Sequence, residues 1–208
     1  MTDKRLKEII SSMTIIVDVA EQSYLHITDY LDKQGIKWIR QNLDFGDYSF
    51  IIDGKSYEKK FSIERKSSLN EISGNYSNGR ERFKKEFDRA TESNAKMIIM
   101  IEQVVPKEFP AVYKKILHAS DKNNKPLLTP DEIEILNKCI SGVGSYKDII
   151  NHNYDTDMTP KSLEASLLAW NLRYDVSTWF VPKKLSGQFI FDICESFLKN
   201  ELKQLEAV

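Results

Sequence analysis

Two apolar segments that each run into charge constrain this chain more than any other feature. Residues 43–52 and 61–66 are rich in aromatic and β-branched residues, with Asp53-Gly54 between them as a turn pair. Both read as strands. Side chains on a strand alternate between faces, so Glu64 and Lys66 share one face and Arg65 takes the other. A hairpin brings Asp47, directly after Gly46, onto the face of Glu64. Two carboxylates beside one ammonium group are suited to holding a hard divalent cation, Mg²⁺ or Mn²⁺, and to steadying negative charge on a phosphate. Taken singly, a charge triplet at a strand end also fits a solvated terminus, and Gly-Asp is a common turn.

The same segments contain a conflict. A two-residue turn at Asp53-Gly54 sets Ile52 opposite Lys55, and therefore Asp47 opposite Lys60 and Glu64 opposite Leu43. Four residues of slip amount to about 13 Å at ~3.3 Å per residue, too far for one metal ion to bridge. An even shift keeps every residue on its face. The expectation is that Asp53-Gly54 is not the apex of a tight hairpin. Either a wider loop spans about residues 53–58, or bulges absorb the excess.

Around these segments the pattern is that of an α/β chain with a mixed central sheet flanked by helices, the site lying at one edge of the sheet. Residues 3–12 read as a short leading helix. Residues 13–18 and 97–102 are continuous apolar runs that end in an acid, the pattern of buried strands. Residues 22–34 are amphipathic, with Leu25, Tyr30 and Leu31 on one face and Gly35 as the stop; residues 36–40 begin the next strand. Ser68 and Glu71 form a capping box. From Arg80 to Ala90 the buried face is Phe83, Phe87 and Ala90, with Asn78 as the expected cap. Arg80 and Lys84 lie four apart on another face, where they fit either phosphate tracking or simple solvation. Thr129-Pro130 and Thr159-Pro160 are helix starts. Leu163, Leu167, Trp170 and Tyr174 make an apolar stripe, residues 176–181 alternate as a strand, and a final helix runs over about 185–205.

At 208 residues the chain fits one domain, 1–208, with a helical insertion at about 103–150. A content of 41% hydrophobic and 29% charged residues is globular and not disordered. No apolar run approaches the ~20 residues that span a bilayer, and the first residues lack a signal-peptide core, so a cytoplasmic protein is expected. Cys139 and Cys194 read as free thiols. His26, His118 and His152 stand apart in sequence and read as structural or surface residues, which argues against zinc. A net charge of −1 argues against indiscriminate coating of nucleic acid. From Lys55 to Arg89, however, ten basic residues face six acidic ones, an excess of +4 beside the charged triplet. Gly142-Val143-Gly144 fits an ordinary turn better than a DNA-binding hairpin.

In their order these segments resemble the XPF-type structure-specific endonucleases, a branch of the PD-(D/E)XK nucleases. The core signature of that family is Gly-Asp followed by Glu-Arg-Lys, here Gly46-Asp47 and Glu64-Arg65-Lys66. Val17-Asp18 with Glu21 resembles the family's Val-Asp-x-Arg-Glu, with Ala20 in place of the arginine. Asn78-Gly79-Arg80 matches its Asn-Gly-Arg. The likeness is strong over residues 14–102, moderate over 146–200, and fades in between.

The resemblance implies a restriction-endonuclease-like fold and a Mg²⁺- or Mn²⁺-dependent DNA endonuclease acting at branched or flapped structures in repair or recombination. It implies Asp47 and Glu64 as metal ligands, Asp18 and Glu21 as supporting acids, and Lys66 as the catalytic cation. Arg65 would be a support or a phosphate contact, and Arg80 and Lys84 would contact DNA. The chain is similar to small single-domain members of bacterial or phage-like origin. A tandem helix-hairpin-helix domain is not apparent in it, which leaves a homodimer open. Rival readings are a Holliday-junction-type or restriction-type nuclease, or a non-catalytic DNA-binding scaffold. The survival of Asp47, Glu64 and Lys66 weighs against the scaffold.

Overall fold

The computed structural model describes residues 3–103, 115, 128–133, 149 and 156–206. Most of the expected insertion lies outside these residues, as do Cys139, His118, His152 and Gly142-Val143-Gly144. Seven strands form one mixed sheet: β1 (Thr14–Asp18), β2 (Lys37–Gln41), β3 (Tyr48–Ile52), β4 (Lys55–Ser56), β5 (Phe61–Lys66), β6 (Lys96–Gln103) and β7 (Ser177–Pro182). The order across the sheet is β2-β1-β3-β5-β6-β7, and β4 pairs with β3. β1 runs parallel to β2 and antiparallel to β3, while β5, β6 and β7 are mutually parallel. Helices cover both faces: α1 (Asp3–Ser11), α2 (Leu25–Lys33), α3 (Leu69–Tyr76), α4 (Arg80–Glu92), α5 (Pro160–Tyr174) and α6 (Ser186–Glu206).

The apolar runs of β1 and β6 are buried because the sheet is covered on both sides. On one side Ile15, Val17, Phe50 and Met100 pack with Ile27, Ile190, Cys194 and Leu198 of α2 and α6. On the other, Ile99 and Ile101 pack with Ile72, Phe83, Phe87 and Trp170 of α3, α4 and α5. Alternate residues of β6 thus serve opposite cores. Helix boundaries follow local chemistry. Ser68 accepts from the Glu71 amide, Thr129 and Glu132 cap each other reciprocally, and Thr159 accepts from the Ser162 amide ahead of Pro160. α2 stops where Gly35 takes φ +68°.

Two expectations need correction. Leu25 is 64% exposed, and the buried face of α2 is Ile27, Thr28 and Leu31. The cap of α4 is Gly79 rather than Asn78, because the helix begins at Arg80, one residue later than an Asn78 cap requires.

The register conflict is settled by an arrangement in two stages. Asp53 and Gly54 both have positive φ, +48° and +79°, and form a tight hairpin in which Ile52 faces Lys55 and Ile51 faces Ser56. The expectation of a wider loop at this point is therefore wrong. Beyond it the Tyr57 amide still bonds to the Phe50 carbonyl. The chain then makes one extra turn, with the Lys60 and Phe61 amides both bonded to the Tyr57 carbonyl at 2.8 Å. That turn consumes four residues. β5 consequently returns with Ile63 opposite Tyr48, the register that makes Asp47 and Glu64 neighbours. The excess is absorbed, as expected, but in an inserted turn that follows an intact hairpin.

Close packing also fixes α6 against α2. A Cβ on Gly187 would stand 2.7 Å from Tyr30 Cβ and 3.0 Å from the Ile27 carbonyl oxygen, whereas Gly74 in α3 has open space around it. Gly187→Ala is expected to lower stability by about 1–3 kcal/mol through overpacking. Gly74→Ala should raise it by about 0.5–1 kcal/mol through helix propensity. Denaturant titration of the two variants measures both.

Candidate active site

The site lies where β1 ends, β3 begins and β5 ends, in the middle of the sheet and not on an edge strand. A cleft of about 580 Å³ opens there, with Asp47, Glu64 and Lys66 among its lining residues. The peptide of Asp47 bridges its neighbours: its amide donates to the Ile63 carbonyl of β5, and its carbonyl accepts from the Asp18 amide of β1, each at 2.8 Å. The Asp47 carboxylate accepts from the Arg65 amide at 2.7 Å.

The loop that delivers Asp47 is held from two sides. Asp18 accepts from the Leu43 amide at 2.8 Å and from the Ala20 amide at 3.0 Å. From α4, Glu86 accepts from the Gly46 amide and Arg89 Nε donates to the Asp44 carbonyl, both at 2.8 Å. Gly46 is required twice over. Its φ is +72°, and a Cβ would fall 1.9 Å from Ser62 Oγ, which itself bonds the Phe45 carbonyl.

Burial sets the electrostatics. Glu64 and Lys66 are 3% and 6% exposed. Desolvation raises Asp47 to about 7 against the pull of Lys66, and the negative charge of Glu21 adds to the rise. Desolvation and the neighbouring Asp47 also push Glu64 well above the ordinary carboxylate range. Burial works against the Lys66 ammonium, but Glu64 and Asp47 outweigh it and hold the lysine above its ordinary value. Lys66 is ion-paired to Glu64, lies 3.6 Å from Glu71 and stands 4.9 Å over the Phe83 ring. It is a fixed positive charge and not a proton acceptor.

Arg65 faces the opposite way, as strand alternation requires. Its guanidinium is buried, bonded to Glu102 at 2.6 Å and to Glu21 at 3.3 Å. Glu102 also accepts from His26 Nε2 of α2 at 2.6 Å. Burial alone would raise Glu102, but the bonds from His26 and Arg65 bring it down to about 2. His26 therefore does not stand apart, and Glu102 is a site-adjacent acid that the sequence offered only as the end of an apolar run.

Among the described residues no group of three or more His, Cys, Asp or Glu side chains forms a ready metal cage. The donor set nevertheless fits a hard cation. Among the described residues Glu64 Oε2 is buried without a hydrogen-bond partner, and it belongs to a pair of carboxylates that share the Lys66 ammonium. Asp18 and Glu21 line the same cleft, with Glu21 tied to Arg65 and to the Ser23 amide.

The residues expected to contact DNA are placed differently. Arg80 donates to the Tyr76 carbonyl and lies 6.0 Å over the Trp170 ring, and Lys84 is paired with Asp88 at 2.7 Å. Neither lines the cleft. Arg82, Lys85 and Arg89 do, with Glu86 among them. Their spacing was present in the sequence as a helical row. Which flank of the Phe83–Phe87–Ala90 face turns toward the cleft depends on how α4 lies on the sheet.

A mixed α/β sheet with two carboxylates and a lysine at the ends of its central strands is the restriction-endonuclease-like fold. The sequence model of the ERCC4 domain matches residues 17–193, and the chain belongs to the ERCC4 domain family. This bears out the resemblance to the XPF-type nuclease domain. Among solved structures the fold is similar to XPF from Aeropyrum pernix in complex with DNA, with a TM-score of 0.50 and 17% identity over 90% of this chain and 66% of that one. A second structure, XPF from Aeropyrum pernix, gives a TM-score of 0.48 and 16% identity over 87% of this chain and 59% of that one. The chain thus spans less than two thirds of either. Comparison with curated proteins finds no match.

Two measurements follow from the charges. An acid whose folded pKa lies above its unfolded value binds the extra proton when folded. Its contribution is therefore present at low pH and lost as the pH rises from about 4 to 7. Metal-free Asp47→Asn protein should melt at a higher temperature than the parent at pH 7.5, with the advantage vanishing near pH 4. Glu102→Leu, by contrast, leaves the Arg65 guanidinium buried with Glu21 alone. It should cost about 3–5 kcal/mol in denaturant titration.

Proposed function

We propose that this chain is a metal-dependent DNA endonuclease that hydrolyses phosphodiester bonds. The observation that carries the reading is the convergence of Asp47, Glu64 and Lys66 at one cleft, with a buried Glu64 oxygen left without a partner. Membership of the ERCC4 domain family supports it, as does the fold shared with a protein solved in complex with DNA. Asp47 and Glu64 would hold Mg²⁺ or Mn²⁺, with Asp18 and Glu21 in support. The bound ion supplies Lewis acidity and an acidified water.

The chain's own groups account for the rest. Lys66, held protonated by Glu64 and Asp47, offsets negative charge that builds on the phosphate. The Arg65 amide orients one Asp47 oxygen toward the strand end, leaving the other for the cation. Asp18, Glu86 and Arg89 keep the 43–46 loop from drifting, so that the two carboxylates meet in a fixed geometry. Arg65 acts through this positioning, because its guanidinium is buried and ion-paired with Glu21 and Glu102.

Branched or flapped DNA is the proposed substrate, and repair or recombination the proposed setting, both resting on the XPF-type likeness. Among the described residues no helix is long and apolar enough to cross a membrane.

The test is cleavage of labelled flap, fork, four-way-junction and plain duplex DNA with and without Mg²⁺ or Mn²⁺. Cleavage of the branched forms is expected only with metal. Glu64→Gln and Lys66→Ala should each lower the rate by about 10²–10³-fold or more with the fold intact. Wild-type cleavage by Glu64→Gln would overturn the assignment, and equal cutting of duplex and flap would overturn the substrate class.

A further inference from the structure

The basic wall of the cleft is one helix flank. Arg82, Lys85 and Arg89 stand at i, i+3 and i+7 of α4, all exposed, and all line the cleft that holds Asp47 and Glu64. At ~1.5 Å per residue this row is about 10 Å long. Arg89 gives its Nε to the Asp44 carbonyl, but among the described residues neither Arg82 nor Lys85 is engaged in an ion pair. That is unusual on this helix, where Lys84 is paired with Asp88 and Arg80 lies against Tyr76 and Trp170. The cleft also carries Asp18 and Glu21, which lie off α4 at and just after the end of β1, and Asp44, whose carboxylate is ion-paired with Lys59. Cations along α4 attract one phosphate backbone, and the Asp18 and Glu21 carboxylates elsewhere in the cleft repel a second.

We propose that Arg82 and Lys85 form a phosphate-binding row that seats a single DNA strand along α4, with its backbone against the helix and away from Asp18 and Glu21. The inference deepens the endonuclease reading and rests on it. The strand lying in the cleft is the one to be cut, and its partner must diverge from it before it meets Asp18 and Glu21. The row replaces the Arg80 and Lys84 pair as the face of α4 that contacts DNA. Arg89 belongs to the same row but also holds the 43–46 loop, so it cannot report on binding alone.

The experiment measures DNA binding over a series of salt concentrations by fluorescence anisotropy. It uses the full chain carrying Glu64→Gln in EDTA, so that nothing is cleaved and one acid is removed from the cleft. The probes are a single-stranded oligonucleotide and a blunt duplex of the same length. Each phosphate contact to a single strand adds ~0.7 to the slope of log affinity against log salt. Adding Arg82→Ala and Lys85→Ala together should flatten the single-strand slope by about 1.4. The same pair should change duplex binding less. Adding Arg80→Ala and Lys84→Ala instead should leave the single-strand slope as it was.

An unchanged slope without Arg82 and Lys85 overturns the row. So does a loss confined to the Arg80 and Lys84 pair, or an equal loss on duplex. If the chain carrying Glu64→Gln alone is folded yet binds neither probe, the endonuclease reading falls and takes the row with it. Normal binding with an unchanged slope removes the row alone.

Discussion

Placing two buried carboxylates beside a single ammonium is the constraint on which the rest of this structure depends. Asp47 and Glu64 repel each other, burial penalises both, and Lys66 balances only one. A hydrophobic isostere would be more stable at such a position. The molecule keeps the charges and surrounds them with compensation that leaves a buried Glu64 oxygen, and also the Arg65 Nε, without a hydrogen-bond partner among the described residues. What sets the Glu64 oxygen apart is its setting, a second buried acid beside it in an open cleft, which is the pattern of a ligand site.

The surroundings show how such an arrangement is held. Three strands converge on the Asp47 peptide, and the loop before it is tied to β1 by Asp18 and to α4 by Glu86 and Arg89. Gly46 then lets that loop lie against Ser62 with no side chain between them. The four-residue turn from Tyr57 to Lys60 belongs to the same design. It leaves the Asp53-Gly54 hairpin undisturbed and re-registers β5 by an even number, so faces are preserved while the acids are brought level. Phe50 stacks on Tyr57 at 4.6 Å between ring centres and also meets Phe61 at 6.1 Å. One core residue thus packs against both the hairpin and its displaced continuation.

Much of this was legible in the residues, and the limits were physical. Period-two alternation separates Glu64 and Lys66 from Arg65, and the charge balance of residues 55–89 puts basic residues near them. The distance between Asp47 and Glu64 in a simple hairpin signalled that four residues had to be absorbed. Nothing in the sequence said whether the turn itself or the chain after it would absorb them, because Asp53-Gly54 is good turn chemistry in either case. Glu102 and His26 are 76 residues apart and meet only through the parallel pairing of β5 with β6 and the seating of α2. A buried strand that ends in an acid gives no sign of its partner. The flank of α4 that faces the cleft was likewise hidden. The buried stripe fixes the axis of the helix, while both flanks carry arginine and lysine.

Glu64-Arg65-Lys66 shows why three adjacent charges are tolerated inside a sheet. β5 is a central strand covered on both faces, so each of the three is under 10% exposed and none reaches bulk water freely. An isolated charge there would be prohibitively costly. Alternation divides the load: Glu64 and Lys66 pair with each other, and Arg65 pairs with Glu102 and with Glu21, which also lines the cleft. Arg65 has acids on both flanks and the His26 donor behind Glu102, a network that fixes geometry, although its Nε has no hydrogen-bond partner among the described residues. Glu64 and Lys66 have Asp47 added to them, which tips the cleft side negative and leaves it short of one cation. The order acid, base, base along one strand therefore gives each cation two acids, with the buried, unpartnered Glu64 oxygen among those that line the cleft.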